Sequence, residues 1–152
     1  MRRFWSTILI MFCMGCSSAV IPGYLLDKHP YTQRFYADFD ECTSAVRQAL
    51  TEQGWQVETQ TDPAIYEQGR EKDPEAQQIL YISNVRVTAI GVGSRYARVN
   101  AFINSKAGIS EVELRYMSIT DLPAKDLRSY RNDGAAKRTF ARIQEILDSQ
   151  DD

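Results

Sequence analysis

The chain has 152 residues, 43% hydrophobic and 25% charged, with 18 basic and 20 acidic side chains and a formal net charge of −2. That length suits one compact domain and not two, and the apolar content is ordinary for a packed core. The acidic balance argues against a general nucleic-acid binder, which needs a concentrated positive surface.

Met1-Arg2-Arg3 is a short cationic start, and residues 4–14 (FWSTILIMFCM) carry no charge. This is the layout of a secretory signal. Such a stretch makes about 16 Å of helix at about 1.5 Å per residue, half of a ~30 Å hydrocarbon core and too short for a permanent span. Two cleavage sites stay open. Gly15-Cys16-Ser17 resembles the lipobox of bacterial lipoproteins, where the cysteine after a small residue is acylated and becomes the mature N-terminus. The places that family usually fills with leucine and a small residue hold Cys13 and Met14 here. The resemblance implies lipidation of Cys16. It also implies outer-membrane sorting through Ser17, since an aspartate there typically retains these proteins in the inner membrane. Cleavage after Ser17-Ser18-Ala19, a small-x-small site, would instead release a soluble periplasmic protein. Cys13 and Cys16 lack the strand–loop–helix context of a redox pair. Residues 1–15 therefore read as signal, and 16–30 as a lipidated N-terminus and tether with two prolines and a glycine.

Residues 31–148 read as a single domain and 149–152 as an acidic tail. "YTQRFYA" (31–37) suits a first strand. Asp38 or Asp40 can then cap a helix through residue 53, with Cys42, Ala45, Val46, Ala49 and Leu50 on one stripe and Gly54 as its stop. "WQVETQT" (55–61) is a second strand, and the polar segment 62–78, with two prolines, reads as a mobile connection. Three longer strands follow. The first has Ile79, Tyr81, Val85, Val87 and Ala89 on its apolar face, and the second has Ala97, Val99, Ala101 and Ile103. The third buries Val112, Leu114 and Tyr116. Turns at Gly91–Ser94 and Ser105–Gly108 join them into an antiparallel meander with one packed and one wetter face. A last helix is capped by Asn132 or Asp133 and buries Ala136, Phe140, Ile143, Ile146 and Leu147. The fold class is α+β: an antiparallel sheet of about five strands in β-α-β-β-β-β-α order, with a long C-terminal helix on one face.

This order, with Ala45, Val46, Ala49, Leu50, Gly54 and Trp55 at the helix-to-strand junction, resembles the helix-grip domain over residues 31–148. That domain occurs in small envelope lipoproteins, including BamC of the outer-membrane β-barrel assembly machinery. The resemblance implies a fold and a compartment, and it carries over no functional residue.

Chemistry-bearing motifs are sparse. His29, the only histidine, lies in the tether between Lys28 and Pro30, where no triad could position it. Cys42 on the apolar stripe reads as a buried, inert thiol. Metal ligands lack the usual spacing, so no metal or cofactor is expected. Glu111 and Glu113 share a side of one strand and are expected to face water, as poor catalytic acids. Gly91-Val92-Gly93 is a turn without the lysine of a phosphate loop. No enzyme is expected. Arg86, Arg98 and Arg115, with Tyr96 and Phe102, are expected to share the sheet face opposite the core. Arginine and aromatic residues together favour a protein-docking surface. A basic group, Lys125, Arg128, Arg131, Lys137, Arg138 and Arg142, around the start of the last helix could approach anionic lipid headgroups, but beside the acidic end it reads as a solubilising surface. The sequence thus points to a non-enzymatic periplasmic protein held to the outer membrane by its lipid. Its expected role is an adaptor for an envelope protein partner in assembly or maintenance. The alternative is a carrier holding an apolar small molecule or lipid between sheet and last helix.

Overall fold

The computed structural model describes residues 24, 26–27, 29–70, 73–89, 95–120, 128–129 and 131–150. The signal, Cys16, the alternative cleavage site at 17–19, the turn at 91–94, Lys125 and the end of the acidic tail lie outside the described residues.

Helix α1 (Phe39–Glu52) begins at a capping box: the Asp38 carboxylate accepts the Glu41 N–H, and the Glu41 carboxylate accepts the Asp38 N–H. Its stripe of Cys42, Ala45, Val46, Ala49 and Leu50 is buried, as the period predicts. Gly54 follows it at φ +81°, a conformation that favours glycine, and a Cβ there would stand 3.0 Å from the Arg86 guanidinium and push it aside. Helix α2 (Asp133–Asp148) is capped by the Asn132 side chain on the Ala135 N–H.

The strands are β1 (Tyr31–Phe35), β2 (Val57–Thr61), β3 (Gln77–Ser83), β4 (Arg86–Ala89), β5 (Arg95–Lys106), β6 (Ile109–Thr120) and β7 (Arg128–Ser129). They form one antiparallel sheet in the order β1-β6-β5-β3-β2, with β4 also on β5 and β7 also on β6. The α+β class and element order agree with the sequence reading. The strand count rises because the expected third strand breaks in two and β7 joins the edge of β6. Strands β5 and β6 meet at the two-residue turn Ala107-Gly108, both at positive φ (52° and 74°). Such a turn matches the right-handed twist of the strands it joins.

The break between β3 and β4 changes which side chains face which way. Ile82 pairs with Asn100, but Arg86 pairs with Ala97, so the β3–β4 edge carries one residue more than the β5 it faces. A bulge of this kind flips every later side chain to the other face. The Asn84 carboxamide fixes it by accepting the Gln56 N–H, and the Ser83 hydroxyl accepts the Val99 N–H, each at 3.0 Å. Arg86 consequently lies on the helix side of the sheet. Val87, expected beside Ile79 and Tyr81, pairs with Tyr96 instead and is 54% exposed.

Both helices pack on one sheet face and against each other. The small residues Cys42, Ala45 and Ala49 meet Ala97 and Ala101 of β5 in one buried cluster, which lets helix and sheet approach closely. Larger groups fill the rest, including Val99, Ile103, Leu114 and Ile143, none with any accessible surface. Phe35 and Phe140 pack ring to ring with centroids 6.2 Å apart. Burial pushes the Cys42 thiol up to about 11, against a hydrogen bond with Ser110 that lowers it. Since the thiolate is the reactive form, Cys42 is expected to resist a bulky maleimide until the domain is unfolded. Rapid labelling of the native protein would contradict this burial.

Candidate functional site

The sheet face opposite the helices is covered by its own chain. After β2, Asp62 accepts the Ala64 N–H and opens a single 3-10 turn (Pro63–Ile65). The chain then lays Glu67 and Arg70 over the middle of β5 and β6. The segment 62–78, expected to be a mobile connection, is thus a strap across this face over its described part. Beneath it, Leu80, Ile82 and Phe102 form a small second core, with Tyr24 packed against them.

A charged network sits on that core. Arg115, 1% exposed, donates to Glu67, to Glu113 at 2.5 Å, and to the Tyr24 hydroxyl. Arg70 donates to Glu67 and, at 3.0 Å, to Glu113, and its guanidinium stacks 3.8 Å over the Phe102 ring. The Tyr24 hydroxyl donates to Glu67, and its ring packs 5.3 Å from Tyr66. Burial alone would raise the Glu67 carboxyl. Hydrogen bonds from Arg115 and Tyr24 outweigh it and hold Glu67 below the ordinary carboxylate range. Burial, reinforced by the bond to Glu67, pushes the Tyr24 phenol well up. Glu113, expected to face water, is therefore a buried ion-pair partner, while Glu111 pairs with Arg34 at 2.8 Å nearer the surface. Asn100, fully buried on the same face, has neither side-chain polar atom bonded to a described residue.

The expected docking face is reshaped accordingly. Tyr96, Arg98 and Phe102 on β5 do share a face with Arg115 on β6, as the register requires. Phe102 and Arg115 lie under the strap, however, closed to a partner in this conformation. Arg98 is only 11% exposed and pairs with Glu58 at 3.5 Å. Arg86 is on the opposite face. The residues that sequence reasoning missed are Tyr24, Glu67 and Arg70, all in stretches read as tether or connection. One signal was present: Ile79, Leu80, Tyr81 and Ile82 run apolar without alternation, the mark of a strand covered on both faces.

On the helix side, the turn between α1 and β2, strand β4 and the first two turns of α2 border an open groove of about 390 Å³. Gln53, Trp55, Arg86, Thr88, Asn132, Ala135 and Arg138 line it. Arg86 donates to the Gln53 carbonyl at 2.8 Å and lies 4.8 Å over the Trp55 ring. Among the described residues, Arg34, Arg70, Arg98, Arg115, Arg131 and Arg142 each meet a carboxylate. Arg47, Arg86, Arg95 and Arg138 do not, and of these Arg86 and Arg138 line the groove.

No protein-family model matches the chain, and no curated protein matches it.

Proposed function

We propose that the chain is a lipid-anchored protein of the bacterial outer membrane, facing the periplasm, that acts without catalysis as an adaptor in envelope assembly or maintenance. The charged start, the short apolar run and Gly15-Cys16-Ser17 support the anchor. The observation that carries the adaptor reading is the filled space between sheet and helices, where Val46, Val99, Ala101, Leu114 and Ile143 have no accessible surface. A carrier would keep room there for its apolar cargo. Tyr24, seated on the strap side, leaves a short leash to Cys16. Those eight residues span at most about 25–30 Å fully extended, so the domain works close to the bilayer.

The anchor is checked by mass spectrometry of the membrane-extracted N-terminus, which should show an acylated Cys16. A mature chain beginning at Val20 would overturn the anchor and make the protein a soluble periplasmic one. Crosslinking on membranes followed by pull-down should then recover a discrete envelope protein.

A further inference from the structure

We propose that the groove at the start of α2 is a binding site for a phosphate group, held by the Arg86 and Arg138 guanidiniums. Two guanidiniums border one groove, no carboxylate is among its lining residues, and neither arginine has a carboxylate partner among the described residues. Like charges gathered without a counter-charge gain most from an anion. The positive end of α2 borders the same groove, partly offset by Asp133 in its first turn, which is engaged by Arg131 and Tyr31.

The hydrogen-bonding valences narrow the ligand. The neutral side chains at the groove are already engaged: Thr88 donates to the Arg95 carbonyl, Gln53 Oε1 accepts from Thr139, and Asn132 caps α2. What remains open on the arginines is donors only, which fits a group that only accepts. A phosphate monoester carries about −1.5 to −2 charges at neutral pH, a closer match to two guanidiniums than a single carboxylate. Arg86 is held in place by the Gln53 carbonyl and the Trp55 ring, with glycine at position 54 leaving room for it. On the Arg86 side, little ordering is left to be done on binding. Arg86 also covers the Trp55 ring, so the groove offers no open aromatic platform for a nucleobase. A volume of about 390 Å³ admits the phosphate and a modest part of the molecule that bears it.

The site does not depend on the anchor, and its test can fail separately. The full chain is titrated with inorganic phosphate by calorimetry at constant ionic strength, with chloride and acetate as controls. Saturable binding is expected, weakened roughly tenfold or more by Arg86→Gln and by Arg138→Gln. Arg138 is an exposed helix residue, so Arg138→Gln should keep the parent melting temperature and remains decisive if loss of the Trp55 contact unfolds Arg86→Gln. A second arm uses phosphatidic acid vesicles. Vesicle binding that free phosphate competes away and Arg138→Gln weakens assigns the group to a lipid headgroup; vesicle binding indifferent to both assigns it to a soluble phosphate compound. Acetate binding as tightly as phosphate would overturn the proposal. So would phosphate binding that Arg138→Gln leaves unchanged, or none beyond the chloride control.

Discussion

Replacing Arg115 by alanine is expected to lower the unfolding free energy by about 3–5 kcal/mol, the range for breaking a buried ion pair from one side. The reason lies in what is left behind. Glu67 and Glu113 would keep their burial under the strap with only Arg70, the more exposed of the two arginines, to serve both. The deficit should depend on pH. Glu67 is depressed in the folded protein, because the bonds from Arg115 and Tyr24 outweigh burial. Its contribution is therefore present above the unfolded carboxylate value and is lost as pH falls through the lower folded value. Without Arg115, burial would dominate and favour the protonated acid. The stability gap between parent and variant should then narrow on acidification from about pH 5 downward. Urea denaturation at neutral and acidic pH checks both points. A loss under about 1 kcal/mol, or a gap that does not change with pH, would show that the network is not closed as described. Replacing Arg115 and Glu67 together, by methionine and leucine, should recover much of the loss, since apolar groups of similar volume avoid the unpaired charge.

Ile143→Ala is expected to cost about 2–5 kcal/mol. Ile143 has no accessible surface and belongs to the same buried cluster as Val46, Val99 and Leu114. Removing three of its carbons forfeits transfer energy and leaves a hole that the close approach of α1 to β5 prevents from collapsing. The parent protein should not take up an apolar dye, whereas the variant should melt markedly lower. The same pair of measurements separates adaptor from carrier. If the space between sheet and helices held a small molecule, the parent would bind the dye and the truncation would cost under about 1 kcal/mol. That result would sink the adaptor reading on its own carrying observation.

Much of the architecture was legible because its causes are local. The stripes of α1 and α2 repeat at helical period, Asp38 and Asn132 sit one residue before their helices, and Gly54 ends α1 at positive φ. The burial of Val112, Leu114 and Tyr116 followed from simple alternation in β6. Each of these depends on neighbours within a turn or two, so periodicity and cap chemistry are enough to place them.

The candidate sites were another matter. Alternation through residues 79–89 assumes an unbroken count, and one extra residue between Ile82 and Arg86 sent Arg86 from the expected docking face to the groove. That bulge is decided by pairing with β5, which the strand's own residues do not announce. The strap was illegible for a similar reason. Glu67 lies 48 residues before Arg115, and Arg70 lies 43 before Glu113, so nothing in the polar segment reveals the charges it will meet. The apolar run Ile79–Ile82 announced that a cover existed, but not which segment supplied it. By itself, then, the sequence determined both helices with their buried stripes, the end of α1 at Gly54 and the packed faces of β5 and β6, because those rest on interactions between near neighbours. Only the tertiary structure decided which arginines are buried, which are paired and which border an open groove. Those outcomes depend on register and on contacts between segments far apart in the chain.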